Sequence, residues 1–309
     1  MPHLEFISLQ KSDTFKKPEA TVLCLGNFDG VHLAHRALMT QAMHLRSSKF
    51  KNAACGVLCF RGLSSDYLSH APTPHLSSER GRLAAFAEMG MHFAVLCDFP
   101  AIRHMSAEEF IESILIGECN CVATVCGFNY RFGEFGTGDP CMLKERFGDA
   151  AHVEPPFLLD GMPVSSTRIR ACLLQGRAEE ATALLGAPYH FSAPVLHGKK
   201  LGRTLGIPTI NQEFPEKMLI PAHGVYITDC KIGERIYRGV TNVGSHPTVD
   251  HDAPINAETY LLDFEGDLYG SEVDISFLCY LRPEKRFDSL EALKECIAKD
   301  IESAKKYRK

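Results

Sequence analysis

TVLCLGNFDGVHLAH, residues 21–35, decides the reading of the first half of the chain. The apolar run at its start shows no polar alternation, as in a strand buried on both faces. It stops at Gly26-Asn27-Phe28-Asp29-Gly30, and an apolar-periodic helix follows over 32–46. A helix N-terminus just beyond the carboxyl end of a first parallel strand turns unpaired N–H groups and the positive end of the helix dipole toward a crevice suited to a phosphate. His32 and His35 fall one turn apart, so both imidazoles face one side. Imidazoles placed there suit hydrogen bonding to the phosphates of a nucleotide and offset charge that builds as pyrophosphate leaves. The same residues also fit a helix capped near Asp29 that carries two surface histidines. A zinc pair is disfavoured, because no acidic or cysteine cluster lies close by.

Outward from this stretch, further apolar runs at 53–60, 93–97 and 121–126 alternate with helical patterns at 77–89 and 106–116. The last pattern opens with Ser106 and Glu109 in capping-box spacing. Strand–helix alternation predicts a doubly wound parallel sheet in an α/β domain. From Ala187 the texture changes. Val273, Ile275, Phe277 and Cys279 alternate with Glu272, Asp274 and Ser276, a turn falls at Gly233, and AETYLLDF (257–264) reads as another strand. Short antiparallel strands at this spacing predict a small β-barrel. A C-terminal helix follows over 289–307, with Leu290, Leu293, Ile297 and Ile301 on one stripe. The break is placed at the helix stop around Gly186 and Pro188, giving domains 1–185 and 186–309.

Composition narrows the function classes. The 309 residues carry 33 Lys and Arg against 38 Asp and Glu, a formal charge of -5, the wrong sign for coating nucleic acid. No apolar run approaches the ~18 residues of a membrane helix, and the N-terminus lacks a signal-like apolar region. The expectation is a cytoplasmic protein acting on small molecules, a monomer or weak oligomer, with no nucleic-acid or membrane partner. Its 12 cysteines are scattered without a CxxC and mostly inside apolar runs, which predicts buried thiols.

HGKKLGRTLGIPTIN (197–211) sets Gly198, Gly202 and Gly206 four apart beside Lys199, Lys200 and Arg203. Glycines admit phosphates close to the backbone, though a structural turn uses them equally. Thr209 and Asn211 alternate on an extended segment, so a hydroxyl and an amide oxygen point the same way. Such hard donors suit Mg2+ carrying nucleotide phosphates, or simply a hydrogen-bonded strand start. In VSSTRIR (164–170), hydroxyls suit a helix cap and Arg168 offers a forked guanidinium for phosphate.

GNFDGVHLAH resembles the GxFDGxHxGH signature of the nucleotidyltransferase half of bacterial bifunctional riboflavin kinase/FAD synthetases, with Ala34 in place of Gly. GFNYRFGEFGTGD (127–139) and VSSTRIR resemble the flavin loop and ISSTxIR segment of that half. The 197–211 stretch is similar to the kinase signature HGxxxGRxLGxPTxN. NVGSHPT (242–248), AETYLLDF and LRPEKRFDSLEAL (281–293) continue the likeness, with His246 and Tyr260 departing from its Arg and His. The resemblance implies ATP-dependent phosphorylation of riboflavin to FMN by the C-terminal half and adenylylation of FMN to FAD by the N-terminal half, with Mg2+ in both steps. It assigns catalysis to His32, His35 and Glu258. Nucleotide would contact Gly26, Phe28, Asp29, Gly30, Ser165, Ser166, Thr167 and Arg168 in one half, and Gly198, Lys199, Gly202, Arg203, Thr204 and Gly206 in the other. Flavin falls to Asn129, Arg131, Asn242, Arg286 and Phe287, and the metal to Thr209 and Asn211. Where relatives carry an acid and Pro-His-Pro after the second strand, this chain has Cys59-Phe60-Arg61-Gly62-Leu63. That departure leaves room for a chain that is a kinase only, with a degenerate first half, and His246 and Tyr260 for a flavin-binding protein without turnover.

Overall fold

β2 (Thr21–Leu25) follows the short strand β1 (Leu4–Ser8), and every one of its five residues is buried. These coordinates are a computed structural model, which describes residues 4–9, 17–68, 73–197, 206–245 and 255–308. After β2 come α1 (Leu33–Ser48), β3 (Ala54–Phe60), α2 (Ser65–Leu68), α3 (Glu79–Glu88), β4 (Phe93–Cys97), α4 (Phe99–Ile102) and α5 (Ala107–Glu109). α5 runs into a π-helix, Phe110–Glu118, then β5 (Cys121–Gly127), α6 (Pro140–Phe147), β6 (Ala151–Glu154) and a hairpin of β7 (Leu158–Leu159) and β8 (Met162–Pro163).

The six-stranded sheet has the order β1-β4-β3-β2-β5-β6. All its pairings are parallel except that of β1, which lies antiparallel along β4. The chain thus winds outward from β2 to β3 and β4, then crosses back to β5, so the order reverses between β2 and β5. α1 and Phe86 of α3 cover one face through Leu38, Met39, Ala42 and Leu45. The π-helix and Leu143 of α6 cover the other. The doubly wound sheet is as expected, and β1 and β6 extend it.

Within 106–116 the capping box forms, with Glu109 N–H donating to Ser106 Oγ at 3.1 Å and Ser106 N–H to Glu109 Oε2 at 2.8 Å. The helix beyond it widens to π pitch instead of continuing as α-helix, and Phe110, Ile111, Ile114 and Leu115 all reach the sheet. The cysteines are free thiols, nine of them buried. Burial raises the thiol of Cys55 to about 12, so it stays protonated.

By packing, the chain divides into Met1–Ser166 and Thr167–Lys309. The second unit holds α7 (Ser166–Leu174) from its second residue on, α8 (Ala178–Leu185), β9 (Tyr189–Pro194), β10 (Thr209–Glu213), β11 (Gly224–Ile232), β12 (Arg235–Ser245), β13 (Ile255–Leu261), β14 (Glu272–Arg282) and a C-terminal helix, Leu290–Lys306. Its antiparallel order is β10-β13-β12-β11-β14-β9. Among the described residues the two ends of this curled sheet meet where Leu196 N–H donates to the Asn211 carbonyl at 2.8 Å and where Gln212 Nε2 donates to the Ala193 carbonyl. Inside it, Phe277 packs between Tyr189, Phe191, Phe214 and Tyr226, and the hydroxyls of Thr228, Thr241 and Thr259 form a chain with 2.8 Å links.

Two expectations need correction here. The register against β11 jumps from Thr228↔Phe277 to Ile227↔Cys279, leaving Leu278 as a bulge. Leu278 is therefore buried in the place that alternation reserved for Cys279, which is only half-buried. In the C-terminal helix Leu293, Ile297 and Ile301 of the expected stripe are half-buried, but Leu290 is exposed and Ala304 is buried in its stead, next to the fork that Arg282 makes with the buried Asp300 at 3.1 and 2.8 Å.

Candidate functional site

The first constellation stands at the carboxyl end of β2, where the sheet order reverses, the usual crevice of an open α/β sheet. α1 begins there with His32, not Asp29, as its N-cap. No acidic residue occupies its first turn, so nothing on the helix competes with an anion for its N–H groups. His32 Nδ1 accepts from His35 N–H at 3.4 Å, which puts the imidazole proton on Nε2. The two rings stack with centroids 3.6 Å apart and 14° between planes. Nδ1 of His35 is buried and has no hydrogen-bond partner. Burial, and then the adjacent His32, push the His35 pKa well below the usual imidazole value. The two imidazoles stand stacked and prealigned at the start of α1, that of His35 kept neutral by its burial.

Phe28 lies under this pair, fully buried, its ring 5.1 Å from that of His35 and edge-on to Phe86. Its side chain is core, and Gly26 backs onto it. Asp29 is also buried, its Oδ1 accepting the N–H groups of Leu76 at 2.9 Å and Ser77 at 3.3 Å. Gly30 N–H donates to Ser77 Oγ at 2.9 Å, and Asn27 is held by Ser64 and by Arg82. From VSSTRIR, Ser166 Oγ donates to the Asp29 carbonyl at 3.1 Å, bringing the segment that begins at Ser165 to the histidine turn. Thr167 and Arg168 belong by packing to the second unit, where Arg168 pairs with Glu180 at 3.4 Å.

Across the reversal point, β5 delivers Asn129 and Arg131 on the loop to α6. Phe132 anchors that loop against Tyr130 and Phe110, and Gly133, at φ 73, sits where a Cβ would meet the Ala107 backbone at 2.8 Å. Arg131 reaches Asp139 at 3.7 Å, while Phe128 and Phe135 expose their rings, Phe135 to 94%.

The second constellation is a register row on the barrel. Asn211 on β10 and Asn242 on β12 both stand directly opposite Glu258 on β13, so the three side chains share one face. Thr209 lies two residues before Asn211 on the same face, opposite Tyr260. Asn211 is buried, and its Oδ1 has no hydrogen-bond partner. Asn242 Nδ2 donates to Glu284 at 3.1 Å, and that carboxylate covers Gly244, where any Cβ would overlap it. Beside Thr209 a cavity of about 230 Å³ opens, lined by Pro208, Thr259, Phe264 and Tyr269 among others. Gly206, at φ 77, turns the chain into this strand. Gly198, Lys199, Gly202, Arg203 and Thr204 lie outside the described residues, as does His246. Arg286 is exposed on the loop after β14, while Phe287 packs under the Arg282 guanidinium at 5.9 Å.

Motif reading found the residues on these faces and missed those that brace them. Ser64, Asp66, His75, Ser77 and Arg82 leave no periodic signal, and the Phe264–Tyr269 wall is only an ordinary turn in sequence.

A chain with a histidine stack at the mouth of a doubly wound sheet and a separate barrel presenting a carboxylate among hard oxygen donors falls in the class of two-unit, nucleotide-dependent transferases. Residues 14–168 match the family model for FAD synthetase and 185–308 that for riboflavin kinase. Among curated proteins it is 34% identical to the bifunctional riboflavin kinase/FMN adenylyltransferase of Pseudomonas fluorescens, over 92% of each chain. It is 33% identical to the protein of that name from Escherichia coli K12, over 94% of this chain and 93% of that one. A crystal structure described as a macrolide-efflux protein from Streptococcus pneumoniae superposes with a TM-score of 0.86 at 29% identity, covering 97% of this chain and 98% of that one. The chain belongs to the bifunctional riboflavin kinase/FMN adenylyltransferase family.

Proposed function

We infer that the barrel unit transfers the γ-phosphoryl group of ATP to the ribityl 5′-hydroxyl of riboflavin, giving FMN and ADP. The α/β unit joins FMN to the AMP moiety of a second ATP, giving FAD and pyrophosphate. The functional division is at 185/186, with both steps in the cytoplasm of a monomer or weak oligomer that takes only small molecules.

The observation that carries this reading is the row Asn211–Glu258–Asn242. Glu258 accepts the hydroxyl proton as the 5′-oxygen attacks, a role that asks only for a positioned carboxylate in a reaction dominated by charge neutralisation. The orphaned, buried Asn211 Oδ1 together with the Thr209 hydroxyl fits Mg2+ and would hold it. That ion, when bound, supplies charge neutralisation to the triphosphate. Asn242, Arg286 and Phe287 border the flavin, and the cavity beside Thr209 takes the nucleoside of ATP. In the α/β unit, His32 Nε2–H and His35 donate to the phosphates while the N–H groups of α1 receive the charge of the departing pyrophosphate. Ser165 and Ser166 complete the phosphate cradle, and the exposed 128–135 loop with Asn129 and Arg131 receives the flavin.

Incubation of the purified chain with riboflavin, ATP and Mg2+, followed by chromatography, tests both steps. FMN that gives way to FAD is expected. FMN alone restricts the chain to the kinase step, and unaltered riboflavin refutes the reading.

A further inference from the structure

The turn that carries the histidines holds itself in an unfavourable shape. Phe28 (φ 54) and Val31 (φ 41) both adopt left-handed backbone, the latter despite its β-branch. Such backbone persists only where the surroundings over-determine it. Here two clamps do so. Ser64, from the segment after β3, takes the Asn27 amide at 3.3 Å, and the segment before α3 takes Asp29 through the N–H groups of Leu76 and Ser77 and Gly30 through Ser77 Oγ. A buried pair ties the two segments together: His75 Nε2 lies 3.0 Å from both oxygens of Asp66, while Arg61 reaches Glu79 at the start of α3 at 3.4 Å. The side chains of His75 and Asp66 are only 15% and 5% exposed. Leu63 N–H also donates to Asp66, and Gly62 makes room for it, since a Cβ there would lie 2.8 Å from Oδ2.

We propose that the Asp66–His75 pair is a positioning device for adenylyl transfer: it locks the Ser64 and Leu76–Ser77 clamps into one brace that keeps the Phe28–Val31 turn, and with it His32, aligned on the nucleotide phosphates. His75 acts through the turn, not on the substrate. The proposal rests on the FMN-adenylylating reading of the first unit. It also explains how a chain without the Pro-His-Pro stretch after β3 still fixes this wall of the site.

The test measures FAD formation from FMN in the full-length chain, with riboflavin phosphorylation as internal control. His75→Ala and Asp66→Ala are each expected to raise the KM for ATP in FAD formation at least tenfold, with a smaller fall in kcat and kinase turnover within twofold of the parent. The double variant is expected to be no worse than either single one. His75→Gln, which keeps a side-chain N–H donor near Nε2, is expected to recover most of the loss. A parental KM in His75→Ala, or additive losses in the double variant, overturns the proposal. Hydrogen exchange in a peptide spanning residues 26–32 reads the brace independently of turnover. Exchange at least tenfold faster in His75→Ala is expected, and unchanged exchange refutes the brace. A parent chain that makes no FAD yet shows this exchange difference refutes the adenylylating reading alone.

Discussion

Glu258 shares one face with two amides, and its chemistry follows from that company. Glu258→Gln keeps the shape of the row and removes the proton acceptor, so FMN formation is expected to fall by about 10²–10⁴-fold, while FAD formation from supplied FMN stays within about twofold. Time courses on the two substrates separate the outcomes. His35 has a different liability. Its pKa is lowered in the native state by burial and by His32, whereas the unfolded ring titrates near 6.5. Between those values the unfolded chain binds a proton that the folded one refuses, so this contribution to stability is complete above about pH 6.5 and drains away as the pH falls below it. In urea titrations of the first unit from about pH 7 to about pH 5, His35→Gln is expected to lose less stability than the parent. A parallel decline in the two chains contradicts the shift. His35 was legible with His32 from their spacing of one turn, and Thr209 with Asn211 from alternation on a strand, whereas Glu258 was legible only through the family resemblance of its strand. Asp66 and His75 have no such relation, since a separation of nine positions carries no period.

Among elements, the parallel strands announce themselves by unbroken apolar runs, because burial on both faces forbids polar alternation. β1 escaped because it is an antiparallel edge strand of mixed residues, and the bulge at Leu278 escaped because a shift of one residue is set by pairing with β11, not by the strand's own composition. The π-helix likewise has the apolar spacing of an α-helix, and only its wider hydrogen bonding, as in Cys119 N–H to the Ile114 carbonyl at 2.9 Å, tells the two apart. β3 illustrates how tightly these elements meet. A Cβ on Gly56 would overlap the ring of Phe93 on β4, which stacks in turn on Phe6 of β1 at 6.2 Å. Gly56→Ala is expected to destabilise the first unit by about 1–3 kcal/mol through overpacking, seen as a lower urea midpoint at unchanged slope. Riboflavin phosphorylation, which belongs to the other unit, is expected to persist.

For the whole molecule, a change from unbroken apolar runs to alternating ones around Ala187 revealed two architectures. The packing border lies earlier, between Ser166 and Thr167, because α8 presents Ala181, Leu184 and Leu185 as buried residues and rests on β9 and β14. Such an attachment is invisible in a helix pattern, which shows an apolar stripe without its partner. Closure of the barrel was equally hidden, and it has an energetic corollary. Asn211 receives, through its backbone carbonyl, the Leu196 N–H of the bridge joining β9's end to β10, while its side chain shares a face with Glu258. A ligand that binds that row only in the folded unit stabilises that unit by mass action. Saturating Mg-ATP is expected to raise the melting midpoint of the parent's second unit, and Asn211→Leu to abolish that rise. The residue whose carbonyl helps close the barrel thus also carries a side chain on the Glu258 row, so a substitution there is felt at both.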